Sequence, residues 1–298
     1  MRFTFTSLAA LATATVALAQ SAIHTGPSIN PDLNVTKNFP GWDAVPASTP
    51  SQSATPNVRR YTADLPSPES RARQRPHRRR AAPHRFGTRV RGAPQAVLAP
   101  PPRITQKCNI WVESDTQYYG YLSPTFNRFG EYGVFQPTQN GSLEVSISYR
   151  PDTPGRIEFL ATNGPVASYP YIGGITGFSS KGGDIGPGSP NYAYLGGTAQ
   201  TPPGSPPVSA DNSFSIVTSI PQDYESTIWS FDPETMAINV QWINTDKSAP
   251  ATYIVYANDN NQALLITGDV DEFQYAYDAP YPEVMLSCVP PSTAPLRR

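Results

Sequence analysis

Leu143-Glu144-Val145-Ser146-Ile147-Ser148-Tyr149 alternates apolar and polar side chains without a miss. A period of two places the apolar side chains on one face of an extended strand and leaves no helical stripe. The chain after Cys108 repeats this pattern in shorter pieces. Glu131 to Phe135 comes just before, joined through Asn140-Gly141, a dipeptide that favours tight hairpins. Thr227 to Phe231 and Met236 to Ile243 flank Asp232-Pro233-Glu234-Thr235, where Pro233 suits the second position of a type I turn. Thr252 to Tyr256 and Ala263 to Thr267 flank Asn258-Asp259-Asn260-Asn261, a further hairpin turn. Arg156 to Ala161, Ser213 to Val217 and Glu283 to Val289 are additional strand candidates, and no helical period persists beyond two turns. Many short strands punctuated by turns predict an all-β fold, an antiparallel β-sandwich or jelly roll forming one domain over 108–298.

Both cysteines fall on the apolar phase of their predicted strands, Cys108 with Ile110 and Val112, Cys288 with Val284 and Leu286. One disulfide joining the first and last strands is the simplest use of such a pair in an oxidising compartment. In the chain-entropy model so long a loop adds about 4–5 kcal/mol, less any strain. A redox pair would instead have close spacing such as CxxC.

Residues 1–19 read as a secretory signal peptide: Arg2 supplies the charge, Leu8 to Ala19 the apolar run and Ala17-Leu18-Ala19 the cleavage site. The run is too short for a membrane span, which needs ~20 residues. Export to the extracellular space without a membrane anchor is therefore expected. Residues 20–107 are dominated by Pro, Ser, Ala and Arg without periodicity, the composition of a disordered pro-segment or linker. Arg59 to Lys107 holds thirteen Lys or Arg against Asp64 and Glu69. Three readings compete for its clusters Arg59-Arg60 and Arg78-Arg79-Arg80. They are cleavage after Arg60 and Arg80, a polycation for nucleic acid or anionic polysaccharide, and a solvated linker. Processing is preferred, giving a mature N-terminus at Tyr61 or Ala81. Nucleic acid is disfavoured: only Phe86 interleaves with the arginines, and 108–298 carries seven Lys or Arg against nineteen Asp or Glu. Glycan acceptor sequons occur at Asn34 and at Asn140, the second on a predicted turn.

The histidines, His24, His77 and His84, all precede the body. That removes Ser-His-Asp, Cys-His and His-ligated metal chemistry from 108–298. Neither a metal nor a cofactor is expected, and no catalytic residue is assigned. Carboxylates remain, in the sets Asp223/Glu225, Asp232/Glu234 and Asp269/Asp271/Glu272. Acids two apart in a strand share a face, as an acid and base pair requires, yet each set lies at a predicted turn or strand end, where acids are ordinarily solvated. Asn258 to Asn261 and Asp269-Val270-Asp271 lack the spacing and distal Glu of a calcium loop. Tyr171 to Pro207, with ten glycines and six prolines, reads as long surface loops around a short strand, Asn191 to Leu195. The pairs Tyr119/Tyr121, Tyr169/Tyr171 and Tyr192/Tyr194 each put two rings on one strand face, and these six are the candidate ligand-binding residues. Exposed beside Asp and Asn, such rings stack on sugars; buried, they fill a sandwich core.

The runs Ile228-Trp229-Ser230-Phe231-Asp232-Pro233, Val240-Gln241-Trp242-Ile243-Asn244-Thr245-Asp246 and Thr267-Gly268-Asp269 resemble uncharacterised secreted all-β proteins of filamentous fungi, a likeness covering roughly the last seventy residues. It implies no activity. The layout of signal, basic segment and acidic all-β body is also similar to fungal glutamic peptidases, β-sandwiches that work with Gln and Glu at low pH. Where that family has Glu before Trp this chain has Gln241 before Trp242, and no catalytic residue is carried over. The expectation is a secreted, non-catalytic β-sandwich of the cell surface or extracellular space, with cell-wall or extracellular polysaccharide as its partner. An acid-active hydrolase using paired carboxylates is the alternative, and a purely structural wall protein a third reading.

Overall fold

The computed structural model describes residues 26–32, 102–151 and 155–292. The signal peptide, Asn34, the processing positions Arg60 and Arg80 and the three histidines lie outside them. Thirteen antiparallel strands form one curled sheet, accompanied by two short helices. The first five strands are β1 (Ile104–Glu113), β2 (Tyr118–Leu122), β3 (Phe135–Gln136), β4 (Glu144–Tyr149) and β5 (Phe159–Ala161). Then come β6 (Tyr171–Thr176), β7 (Tyr192–Thr198), α1 (Ser213–Thr218), β8 (Tyr224–Glu225), β9 (Trp229–Phe231) and β10 (Ala237–Val240). The chain closes with β11 (Tyr253–Ala257), β12 (Ala263–Thr267), α2 (Val270–Tyr277) and β13 (Met285–Val289).

The main path of the sheet runs β11-β12-β7-β6-β5-β4-β1-β13-β10-β9. Both ends of the path curl back onto it. Val255 of β11 bridges Glu283, with the Tyr256 N–H donating to the Pro282 carbonyl at 2.9 Å. At the other end the Ile157 N–H donates to the Trp229 carbonyl of β9 at 2.7 Å. Closure of this kind covers edges that would otherwise offer unpaired backbone groups. The predicted contact of first and last strands is present: β1 lies against β13, and Cys108 is bonded to Cys288 with 5.1 Å between their Cα atoms. The boundary expected at 108 is corrected, because β1 begins at Ile104, opposite Tyr149 of β4.

The curl encloses an inner core in which Trp229 stacks on Phe159 at 4.8 Å and donates its indole N–H to the Ile172 carbonyl at 2.7 Å. A second apolar cluster lies on the outer face of β6, β7, β12 and β11. There Tyr192, Tyr194 and Leu265 are covered by Phe214 of α1, by Phe273 and Tyr277 of α2, and by Ile29. Strands with one buried face alternate, as β4 does; β7 and β12 are buried at every position because both of their faces are covered.

Three sequence expectations are corrected here. Ser213 to Val217 is helix, not strand: Asn212 Oδ1 accepts the Ser215 N–H while Ser215 Oγ accepts the Asn212 N–H, a reciprocal cap that starts a helical turn. The region 171–207 is not only surface loop around one short strand, since it contributes β6 as well as β7 to the middle of the sheet. Its glycines make room. A Cβ on Gly174 would lie 2.6 Å from the Trp242 ring, and one on Gly196 would lie 2.5 Å from Ile175. The third correction concerns 26–32, which the composition of 20–107 assigns to disorder. Ile29, Asn30 and Pro31 are buried against the outer cluster. Pro27 and Pro31 limit the backbone on either side of Ile29, which lowers the entropy lost on docking.

Candidate functional site

Asn127 to Gly133 forms a tight loop that forces one carboxylate into the protein. Asn127 Oδ1 accepts the N–H groups of Phe129 and Glu131 at 2.9 and 3.0 Å, and the Asn127 N–H donates to the Glu131 carbonyl at 2.8 Å. Gly130 has φ +86°, a left-handed conformation that side chains disfavour, and a Cβ there would lie 2.4 Å from the Ser213 carbonyl oxygen. The loop then wedges between two strands. The Tyr132 N–H donates to the Leu195 carbonyl of β7 at 2.7 Å, and its carbonyl accepts from the Leu264 N–H of β12 at 2.8 Å. Glu131, bridged to Gly196, points to the same face as Tyr194 and Tyr192.

Glu131 is fully buried. Its Oε2 accepts from Asn127 Nδ2 at 2.7 Å and from Asn30 Nδ2 at 3.2 Å. Burial pushes its pKa up to about 8, opposed by those two amides and by Arg128 nearby. Asn30 Nδ2 also donates to Asn261 Oδ1 at 3.2 Å, and Asn261 sits on the predicted hairpin turn between β11 and β12. Two atoms of this group have no hydrogen-bond partner among the described residues, Glu131 Oε1 and Asn30 Oδ1. A neutral carboxyl has one hydrogen to place, and the amide oxygen has one to accept. The two orphans are complementary only while Glu131 is protonated.

Beside this group two phenols converge on one main-chain carbonyl. Tyr192 donates to the Ile29 carbonyl at 2.5 Å, and Tyr194 donates to the same oxygen. Each phenol oxygen in turn accepts a backbone N–H from the β6–β7 loop, Phe178 to Tyr194 at 3.0 Å and Ser179 to Tyr192 at 3.2 Å. Ser179 Oγ completes the grip, donating to the Ser28 carbonyl at 2.6 Å. Burial pushes both phenols well above their usual range, so neither ionises. The arrangement holds a bent peptide, turned at Ile29 and Asn30 with the Ser28 hydroxyl donating to the Asn30 carbonyl at 2.6 Å, by a carbonyl and by an asparagine side chain.

The predicted tyrosine platform does not form from its six members. Tyr119 packs on Phe135 and Tyr256 and Tyr121 on Trp111, all buried or half-buried. Tyr192 and Tyr194 are buried under residues 26–32, while Tyr169 and Tyr171 are half-buried. Ring faces in this core bury more area packed on one another than they would exposed, which is why they turn inward. Tyr275 on α2 is the most open ring among the described residues, 85 % exposed, beside a shallow depression lined by Asp271, Gln274 and Asp278.

The predicted acid sets separate as well. Asp269 caps α2 by accepting the Glu272 N–H at 3.0 Å, and Asp232 accepts the N–H of Glu234 at 2.8 Å within its turn. Asp223 is exposed, whereas Glu225 is buried and accepts the Ile243 N–H at 3.0 Å. Burial pushes Glu225 up to about 8. Glu225 pairs with Gly174, one residue out of phase with Ile175 and Tyr194, so it faces the inner core rather than Glu131. The sheet thus separates the two buried glutamates. Among the described residues no group of acids, histidines or cysteines is placed to hold a metal ion. Asn140 is exposed on its turn.

Glu131, Asn127 and the docked segment were missed by the sequence reading. The legible signal is an acid bracketed by glycines, Gly130-Glu131-Tyr132-Gly133, three residues after an asparagine. No family model, curated protein or solved structure matches this chain. Fold and site define a mostly β protein in which residues 28–30 of its own chain pack over a buried carboxyl.

Proposed function

We propose that this is an exported, non-catalytic β-sandwich protein of the cell surface or extracellular space, and that it acts by binding a short, bent polypeptide segment in the Glu131 cleft. One observation carries the reading: the cleft holds residues 28–30 through a carbonyl shared by two phenols and an asparagine shared by Glu131 and Asn261. Main-chain contacts that give affinity together with a side-chain pocket that gives specificity are a common way for peptides to be read. The leader-like residues 1–19 and the disulfide support export. Polysaccharide as partner now rests on Tyr275 and its acidic surround, since four of the six predicted rings are buried.

Acid-active hydrolysis is the second reading, and a specific geometry favours it. Two hydroxyl donors on one peptide carbonyl, next to a neutral carboxyl, are the elements of a site that stabilises a developing oxyanion. Among the described residues no second fully buried carboxylate lies on its face to act as base.

The test uses the full chain carrying Ile29→Ala with Asn30→Ala, which empties the cleft. A labelled Gly-Pro-Ser-Ile-Asn-Pro-Asp peptide is expected to bind it saturably and a scrambled peptide is not. Binding of glucan, chitin or mannan without peptide binding would replace this reading with the carbohydrate one. Casein cleavage at about pH 3–4, lost in Glu131→Gln, would replace it with the hydrolase.

A further inference from the structure

We infer that residues 26–32 are a tethered occupant of the Glu131 cleft, and that cutting the chain between 33 and 103 makes them dissociable and opens the cleft to an asparagine-bearing peptide from another molecule that adopts the same bend. This rests on the peptide-binding reading above and adds how the site is controlled and what it selects.

Consider first what holds the segment. Three residues are buried, and the bonds run from body side chains to Ser28 and Ile29 carbonyls and from Asn30 to Glu131 and Asn261. No strand pairing joins 26–32 to the sheet among the described residues, and no cysteine lies within it. An interface that persists between separate molecules takes roughly 20–30 residues a side. Among the described residues of this segment three are buried, far short of that. Docking is therefore sustained by the covalent tether, which makes it intramolecular. Severing the tether turns it into an ordinary weak bimolecular contact that dilution undoes.

The sequence places basic clusters inside that tether, Arg59-Arg60 and Arg78-Arg79-Arg80. A cut at either would leave the segment on a separate fragment.

The selected chemistry follows from Asn30. Its amide Nδ2 meets two acceptors, Glu131 Oε2 and Asn261 Oδ1. Aspartate at that position presents only oxygens to them and would leave buried acceptors unpaired. The preceding residue fills an apolar position against Tyr192 and Tyr194 and presents its carbonyl to both phenols. The ligand class is a short peptide that bends at an aliphatic residue followed by asparagine.

The test replaces Arg59-Arg60 in the full chain with the recognition sequence of a site-specific protease. After cutting, gel filtration at micromolar concentration is expected to separate the N-terminal fragment from the body. The body should keep its circular dichroism and cooperative melt. Labelled Gly-Pro-Ser-Ile-Asn-Pro-Asp should then bind the cut protein and not the uncut one, and the peptide carrying Asn30→Asp should bind at least tenfold more weakly. A fragment that stays with the body through dilution to nanomolar would overturn the tether inference while leaving the cleft's peptide-binding reading to the Ile29→Ala, Asn30→Ala chain. Unfolding of the body on cutting would also overturn it, by making 26–32 part of the fold. Release with an intact body that takes up no peptide would refute both readings.

Discussion

The two faces of the β6–β7–β12–β11 region are buried by different means. The inner face closes on the rest of its own sheet, with Trp229, Trp242 and the Cys108–Cys288 bond supplied by neighbouring strands. The outer face is completed by helices and by Ile29, drawn from a stretch more than seventy residues upstream of β1. Each face buries one glutamate held at about 8. Their partners differ. Glu225 accepts a backbone N–H of the same scaffold, whereas Glu131 accepts a side chain of the docked segment and keeps one oxygen unpartnered. A buried acid serving the scaffold is internal structure; one serving a removable segment is a site.

The largest expected effect is that of pH, because it acts on both faces. A carboxyl whose pKa is raised by folding keeps its proton to higher pH in the native state than in the unfolded chain, so the native state is disfavoured as pH rises. The penalty is absent below about 4.5, grows through the interval up to about 8 and is complete above that. At ~1.4 kcal/mol per pH unit, each group's penalty amounts to several kcal/mol when it has no way to escape it. The faces should respond differently. Glu225 can shed the penalty only by global unfolding, so the urea midpoint should fall from pH 5 to pH 8.5 and Glu225→Gln should flatten that fall. Glu131 has a local escape, release of residues 26–32. The groups facing it are Asn127, Asn30, Arg128, Tyr192 and Tyr194, of which Arg128 alone favours the ionised form by charge. Amide exchange at Phe178 and Ser179, whose N–H groups bond the two phenols, should therefore accelerate with pH beyond its intrinsic base catalysis. Glu131→Gln should abolish that excess. A urea midpoint constant from pH 5 to pH 8.5 would sink the account of Glu225, and exchange at Phe178 and Ser179 with no pH-dependent excess would sink that of Glu131.

Next in size is truncation of the inner core. Trp229→Ala removes a fully buried ring and should cost about 3–5 kcal/mol, read as a lowered melting temperature. Ile29→Ala deletes apolar contacts on the outer face, yet its segment can leave, so the body should lose less than about 1 kcal/mol. Equal losses from the two variants would erase the distinction between the faces. Reducing Cys108–Cys288 falls between them: it opens a loop of 180 residues and should lower stability by about 2–4 kcal/mol without releasing 26–32.

This asymmetry also explains what the sequence could disclose. Alternation from Leu143 to Tyr149 is legible because β4 is buried on one face, and the turns at Asp232-Pro233 and Asn258 to Asn261 join paired strands where local chemistry dictates them, whereas Asn140-Gly141 turns the chain between β3 and β4, which pair with other strands and not with each other. The cysteine phase placed the disulfide correctly. In β6 and β7 both faces are covered, so alternation vanishes and glycines chosen for close packing read as loop. α2 escaped notice although Asp269 and Glu272 stand at the cap and third positions of a helix start. The site lies on the two-sided half, and one of its parts comes from a segment whose composition, averaged over its neighbours, gives no sign of burial.

The smallest effects should come from single phenols. Tyr194→Phe and Tyr192→Phe each remove one donor from the Ile29 carbonyl, which keeps the other. A carbonyl oxygen with two lone pairs loses little when one bond remains. Each variant also strips a backbone N–H, of Phe178 or Ser179, of its acceptor. Leaving such a donor without an acceptor costs about 1–3 kcal/mol unless water reaches it. The half-buried loop at 178–180 admits some water, so docking should weaken by about 1 kcal/mol per variant, measured as release of the cut fragment. Losing both hydroxyls leaves the carbonyl bare, and the double variant should therefore lose more than the sum of the singles. Simple additivity would mean that each tyrosine acts through its loop N–H alone and that the shared carbonyl contributes nothing to docking.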